Sequence, residues 1–274
     1  MKKLLFVATA ALCATVFGAI QSTNVVGYQG NTANANRQTM MAPTFLSVGS
    51  ETGCTLADLK VVGYEAAVWN TEDEEYNGGC IGGQFVLQFL NSNGSVAAAY
   101  YWIDNGEVSA GWYADEGATV IDGGAASVQI PAGTALWVIG TGKTLQSAGA
   151  VNKEDVAYVT NSSRQTAVGN SMPVELTLAD LTVTGYAAAV WNTEDEEYNG
   201  GCIGGQFVLQ FLNPNGSVAA AYCWIDNGEV PAGWYADEGA AAIEGGAASV
   251  KIPAGKGMWV IGTGKTLNIP APEL

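Results

Sequence analysis

The chain has no histidine, and its 26 carboxylate residues face only 10 lysines and arginines. Without histidine the commonest general base is missing. So are the Ser-His-Asp and Cys-His nucleophile systems and most catalytic zinc sites. Enzymes built on carboxylates, Ser-Lys pairs or tyrosine remain open. The shortage of basic residues excludes nucleic acid as a partner class, because phosphate binding needs clustered Lys and Arg. An anionic membrane surface repels the chain for the same reason. Charged residues of both signs are scarce too, at 13% against 48% hydrophobic, a balance that acidic disordered tails do not have. A folded acidic protein is expected.

Long apolar runs are also scarce. The one that stands out follows Met1, Lys2 and Lys3, extends to Phe17 and meets the small residues Gly18 and Ala19. This is the pattern of a secretory signal peptide over residues 1–22. Cys13 lacks the small preceding residue of a lipoprotein signal, and no later run reaches the roughly 18 apolar residues of a membrane span. The expected mature product is secreted or at the cell surface of a bacterium, with no membrane span. Loss of Lys2 and Lys3 takes its formal net charge from -16 to -18.

The string WNTEDEEYNGGCIGGQFVLQFLN begins at Trp69 and again at Trp191, an offset of 122 residues. From 69 to 145 only ten positions differ between the copies, among them Ser92 against Pro214, Tyr101 against Cys223 and Ser109 against Pro231. Upstream of Leu56 and Leu178 the match decays. Two β repeat domains are expected, residues 23–148 and 149–274. Each is large enough to bury a core. Within the first, β-forming runs at 60–69, 84–90, 96–104, 111–114, 126–130 and 134–139 are separated by turn signals, including Asn93-Gly94 and Asn105-Gly106. No stretch outside the leader has helical period and caps. The fold class expected is all-β, two tandem and nearly identical sandwich- or barrel-like domains.

Four cysteines remain in the mature chain. Cys80 and Cys202 are equivalent, whereas Cys54 matches Leu176 and Cys223 matches Tyr101. In an exported chain an even number suggests disulfides, and closure within each unit pairs Cys54 with Cys80 and Cys202 with Cys223. A bridge between units and free buried thiols are the alternatives.

Three constellations have chemical character. The acidic loop with Glu72, Asp73 and Glu75, copied as Glu194, Asp195 and Glu197, offers the oxygen ligands that Ca²⁺ takes, although its spacing matches no EF-hand or nonapeptide repeat. Calcium is the one ion it would suit; no other cofactor is expected, and a solvated loop is the plainer reading. Asp104, Glu107, Asp115 and Glu116 gather near hairpin ends, and paired carboxylates can hydrolyse glycosides, but nothing in the sequence fixes their separation. The aromatic residues Trp102, Trp112 and Tyr113, copied as Trp224, Trp234 and Tyr235, would stack sugar rings if exposed and fill the core if not. Gly140-Thr141-Gly142-Lys143-Thr144 mimics the end of a phosphate loop, but Trp137 stands where the first glycine is needed and no helix follows.

The early VVGY, the GWYADEG pair of aromatics, and IPAGTALWVIG followed by KTLQSAG resemble a group of secreted bacterial tandem-repeat proteins. The resemblance implies export and an all-β repeat, and it carries no activity or site residue. With it, the sequence points to a non-enzymatic structural, adhesion or assembly protein of the cell surface or matrix, associating with itself or with cell-surface material. A carbohydrate-binding protein, calcium-assisted or not, is the alternative; tandem identical faces give avidity in either case.

Overall fold

The computed structural model describes residues 26–33, 38–91, 94–140, 142–161, 165–213, 216–262 and 264–272. The expected signal peptide, residues 1–22, lies outside the described residues. The chain is all-β. Its first half contains β1 (Val26–Thr32), β2 (Thr39–Met41), β3 (Gly53–Thr55), β4 (Leu59–Val62), β5 (Val68–Asn70) and β6 (Glu75–Asn77). These are followed by β7 (Val86–Leu90), β8 (Val96–Ile103), β9 (Gly111–Tyr113), β10 (Gln129–Pro131), β11 (Leu136–Ile139) and β12 (Thr144–Ala150). The second half contains β13 (Val156–Val159), β14 (Thr166–Gly169), β15 (Leu176–Thr177), β16 (Thr182–Thr184), β17 (Val190–Asn192) and β18 (Glu197–Asn199). It closes with β19 (Val208–Leu212), β20 (Val218–Ile225), β21 (Gly233–Tyr235), β22 (Lys251–Ile252), β23 (Gly257–Ile261) and β24 (Thr266–Ile269).

Strand pairing repeats between the halves. In the first, a three-stranded sheet β1-β12-β4 faces a five-stranded sheet β2-β11-β7-β8-β9; in the second, β13-β24-β16 faces β14-β23-β19-β20-β21. All of these pairs are antiparallel. The core between the sheets takes Leu59, Val61 and Leu145 from one side and Leu87, Trp102, Trp112, Leu136 and Val138 from the other. The two-residue period decides this. In β11, Leu136 and Val138 are buried while Trp137 and Ile139 turn to the outer face.

The expected strand over 60–69 is broken into β4 and β5. Gly63 adopts φ +89, and the chain turns away before Val68. The expected run at 126–130 begins instead as a single 3-10 turn, Ala125–Ser127, before β10. The first half's last strand continues to Ala150, two residues past the expected boundary, with Ala150 paired to Val26. Among the described residues, no helix is long and apolar enough to cross a membrane.

The halves meet along β2 and β14, the outer strands of the two five-stranded sheets. Met41 bridges Lys256, and Val168 bridges Thr134. Ala42 donates its amide to the Gly255 carbonyl at 2.9 Å, and Gly169 donates to the Gly133 carbonyl at 2.9 Å. Thr134 and Gly133 are the repeat counterparts of Lys256 and Gly255, and Met41 and Val168 occupy matching places opposite Leu136 and Met258. The seam is therefore self-complementary, like a two-fold dimer interface built within one chain. On it the counterparts Trp137 and Trp259 meet edge to face, their centroids 6.2 Å apart. Gly257 admits the Met40 side chain so closely that an added Cβ would lie 2.4 Å from its Cγ.

Candidate functional site

Among the described residues, the most exposed tryptophans lie on a pair of hairpins, β5–β6 and its copy β17–β18. Trp69 faces Tyr76 across the first, and the rings meet edge to face at 5.1 Å. Trp69 is 49% exposed and Tyr76 39%, with Val68 and Ile81 more open still. Trp191 and Tyr198 repeat the arrangement at the same 5.1 Å. The same exposed, directly opposed ring pair therefore occurs in both copies, with further exposed Val and Ile in the hairpin and the loop after it.

Local chemistry builds each hairpin. At the tip, Asn70 accepts the Glu72 amide through Oδ1 at 2.9 Å and donates Nδ2 to the Asp73 carboxylate at 2.6 Å. Glu74 takes a left-handed φ of +53 to close the turn. At the base, Gly79 donates to the Glu65 carbonyl at 2.7 Å, and Cys80 and Asp104 exchange two backbone hydrogen bonds of 2.8 Å. The Tyr76 ring lies across Gly106, where a Cβ would fall 2.3 Å from the ring. Beneath this base, Trp102 Nε1 donates to the Tyr64 hydroxyl at 2.9 Å, and that hydroxyl donates to Asp104 Oδ2 at 2.9 Å. Burial, with the Asp104 carboxylate added, pushes the Tyr64 phenol up to about 12. Trp224, Tyr186 and Asp226 form the same chain at 2.9 and 3.1 Å.

The carboxylates expected to hold calcium, Glu72, Asp73 and Glu75 with Glu194, Asp195 and Glu197, stand exposed around these tips. One of each set is already taken by an asparagine amide, Asp73 by Asn70 and Asp195 by Asn192. Among the described residues, no three His, Cys, Asp or Glu side chains are grouped to hold a metal ion.

Of the two readings open for the tryptophans, sugar stacking or core, the structure places Trp102, Trp112, Trp224 and Trp234 in the core. Trp102, Trp112, Trp224 and Trp234 are 7–8% exposed and pair edge to face at 5.3 and 5.4 Å within each half. Trp112 donates to the Leu59 carbonyl and Trp234 to the Leu181 carbonyl, so each of these indole N–H groups is satisfied inside. Tyr113 and Tyr235 are half-buried, their hydroxyls tied to the Ser109 and Pro231 carbonyls. Alternation along β8 sends Trp102 inward and Tyr101 outward; a sequence cannot tell which face the second sheet covers.

The cysteines correct an expectation. Cys54, Cys80, Cys202 and Cys223 are free, buried thiols. Cys80 and Cys202 donate to the Trp102 and Trp224 carbonyls at 3.6 Å. In the second half, Cys202 packs in the main core with Trp224, whereas Cys223, one residue along β20, packs behind that sheet with Val208 and Ile225. Burial pushes Cys54 up to about 12 and Cys80 and Cys202 up to about 11, and a thiol held protonated is inert.

The acidic cluster at the β8–β9 end serves as turn chemistry. Asn105 Oδ1 accepts the Glu107 and Val108 amides, and Asp115 Oδ1 accepts those of Gly117 and Thr119. The Thr119 hydroxyl and amide, aided by Gly117, hold the Asp115 carboxyl below its usual range. Glu116 packs against Gly82 and Gly83.

Sequence reasoning passed over Trp69 and Tyr76 as a site, since their strands are only three residues long. The available signal was the frame VWN-TEDE-EYN, in which a four-residue acidic turn joins two short β-forming triplets. Comparison with family models, curated proteins and solved structures found no match, so no function comes to the chain from a relative.

Proposed function

We propose that the chain is an exported, non-enzymatic surface protein of two repeat units, residues 23–148 and 149–274, that works by adhesion or assembly. The observation that carries this reading is the duplicated pair of exposed rings: Trp69 with Tyr76 in one copy, Trp191 with Tyr198 in the other. Two equal ring pairs on one chain convert weak single contacts into avidity. The partner is a second copy of the chain or cell-surface material. Because each ring pair sits beside a tip of four carboxylates on a chain of net charge -16, association requires salt or a divalent cation to screen like charge.

Light scattering and sedimentation of the mature protein across salt and Ca²⁺ concentrations test this, together with adherence to cell-wall fractions. Trp69→Ala with Trp191→Ala should abolish association and leave the melting temperature unchanged, because both rings are outside the core. A strict monomer under every condition that adheres to nothing, or turnover of a glycan, peptide or ester, would sink the proposal.

A further inference from the structure

Two clefts lie along the self-complementary seam, and Trp137 lines the first. The first, about 250 Å³, is lined by Gln38, Thr39, Trp137, Asn213 and Lys256 among others. The second, about 290 Å³, is lined by Asn91, Thr134, Tyr158, Thr160 and Asn161 among others. The clefts are counterparts: Asn213 matches Asn91, and Lys256 matches Thr134. In a chain with 26 carboxylates, neither lining contains one among the described residues. Amides, hydroxyls and aromatic rings line both, which is the surface that hydroxyl-rich ligands use.

Lys256 sets the first cleft apart. It is half-buried, with its backbone fixed on both sides: its amide donates to the Pro253 carbonyl at 3.0 Å, and its carbonyl accepts from Asn170 at 3.0 Å. Among the described residues, no carboxylate forms an ion pair with the Lys256 ammonium. Burial lowers its pKa with no opposing charge to restore it. A half-buried cation without a counter-ion costs stability, and here it lies in an open cleft that an anion can enter.

A single ammonium favours a carboxylate over a phosphate. Phosphate sites use Arg forks, several cations or a fan of backbone amides at a helix N-terminus, and among the described residues Lys256 is the one cation that lines the cleft. The volume is below the roughly 300–1,000 Å³ of drug-sized pockets, which suits one sugar ring. Gln38 is already oriented by its 3.1 Å hydrogen bond to Gln88.

We infer that the cleft at Lys256 binds a hexuronate residue, with the sugar carboxylate on the Lys256 ammonium and the ring against Trp137 between Thr39 and Asn213. The second cleft, with Thr134 in place of the lysine, lacks the carboxylate partner and gives the pair its difference. This site stands apart from the hairpins, and its failure leaves their role untouched.

The test is calorimetric titration of the mature protein with a trigalacturonate, with the matching neutral galactose trimer and with inorganic phosphate. The trigalacturonate should bind at one site per chain, at least about tenfold tighter than either control. Lys256→Thr installs the residue that the fold already accommodates at the counterpart position, and it should weaken binding by about tenfold or more with the melting curve unchanged. Trp69→Ala with Trp191→Ala should bind as the wild type does. No binding by the wild type, equal affinity for the neutral trimer or for phosphate, or unaltered binding by Lys256→Thr would each overturn the inference.

Discussion

Removing the Tyr64 hydroxyl gives a quantitative test of how each half is held together. Tyr64→Phe keeps the ring and deletes one oxygen, which accepts from Trp102 Nε1 and donates to Asp104 Oδ2, both at 2.9 Å. Trp102 is 7% exposed, so its indole N–H is left without a partner and without water; orphaning such a donor costs about 1–3 kcal/mol. Asp104 is half-buried and regains part of its solvation, so the lost charge-assisted bond adds about 1 kcal/mol or less. A total of about 2–3 kcal/mol follows. Tyr186→Phe repeats the experiment in the second half on the same chemistry. The two losses should add, since the networks share no partner. Scanning calorimetry reads both the cost and the size of the cooperative unit. About 1 kcal/mol moves the midpoint by about 4–8 °C in a unit of 60–100 residues but only about 2–4 °C in one of 150–250. Independent halves should therefore split the transition in either single variant, while halves locked by the seam should shift one transition by a smaller amount. Single variants within about 0.5 kcal/mol of wild type, with the Trp102 indole proton still protected from exchange, would refute the network.

Because burial holds Cys54, Cys80 and Cys202 as thiols with values of about 11 to 12, an aromatic disulfide reagent at pH 8 should label none of the four mature cysteines until the protein is denatured, and reductant should not move the melting temperature. Labelling that stays absent after denaturation, together with a reductant-sensitive midpoint, would restore the bridged reading. Acid should act on Asp58. Burial works against its charge, but hydrogen bonds from the Ser47 hydroxyl and from the Thr55 amide and hydroxyl hold its carboxyl below the ordinary 3.8. A depressed carboxylate stabilises fully above its unfolded value and loses that contribution as pH falls through its folded one. Asp58→Asn should therefore be less stable than wild type near pH 7, with the gap closing below about pH 4. A gap that stays constant down to about pH 2 would show that the ionised form contributes nothing.

The sequence by itself determined the strand class, many of the turns and the repetition. Asn105-Gly106 before GWY, the alternation in LWVI and the offset of 122 residues are local signals, because turn conformations and side-chain facing follow from neighbouring residues alone. Where a local signal was weak, the reading slipped. Gly63 at φ +89 cuts one expected strand in two, and β12 was passed over because TLQSAGA carries few β-formers and is held by β1 and β4 on either side. Only the tertiary structure decided which face of each strand is covered. Trp102 and Trp112 are core and Trp69 is surface for that reason alone, although all three are tryptophans on strands. The free thiols depend on the same fact, since Cys202 and Cys223 pack on opposite faces of one sheet. The seam is still less legible: β2 and β14 are diverged segments whose edges meet across more than a hundred residues, and the cleft at Lys256 exists only because Gln38, Trp137 and Asn213 arrive there from separate strands and turns. Contacts between distant segments are set by the burial of whole sheet faces and edges, and no window of sequence contains them.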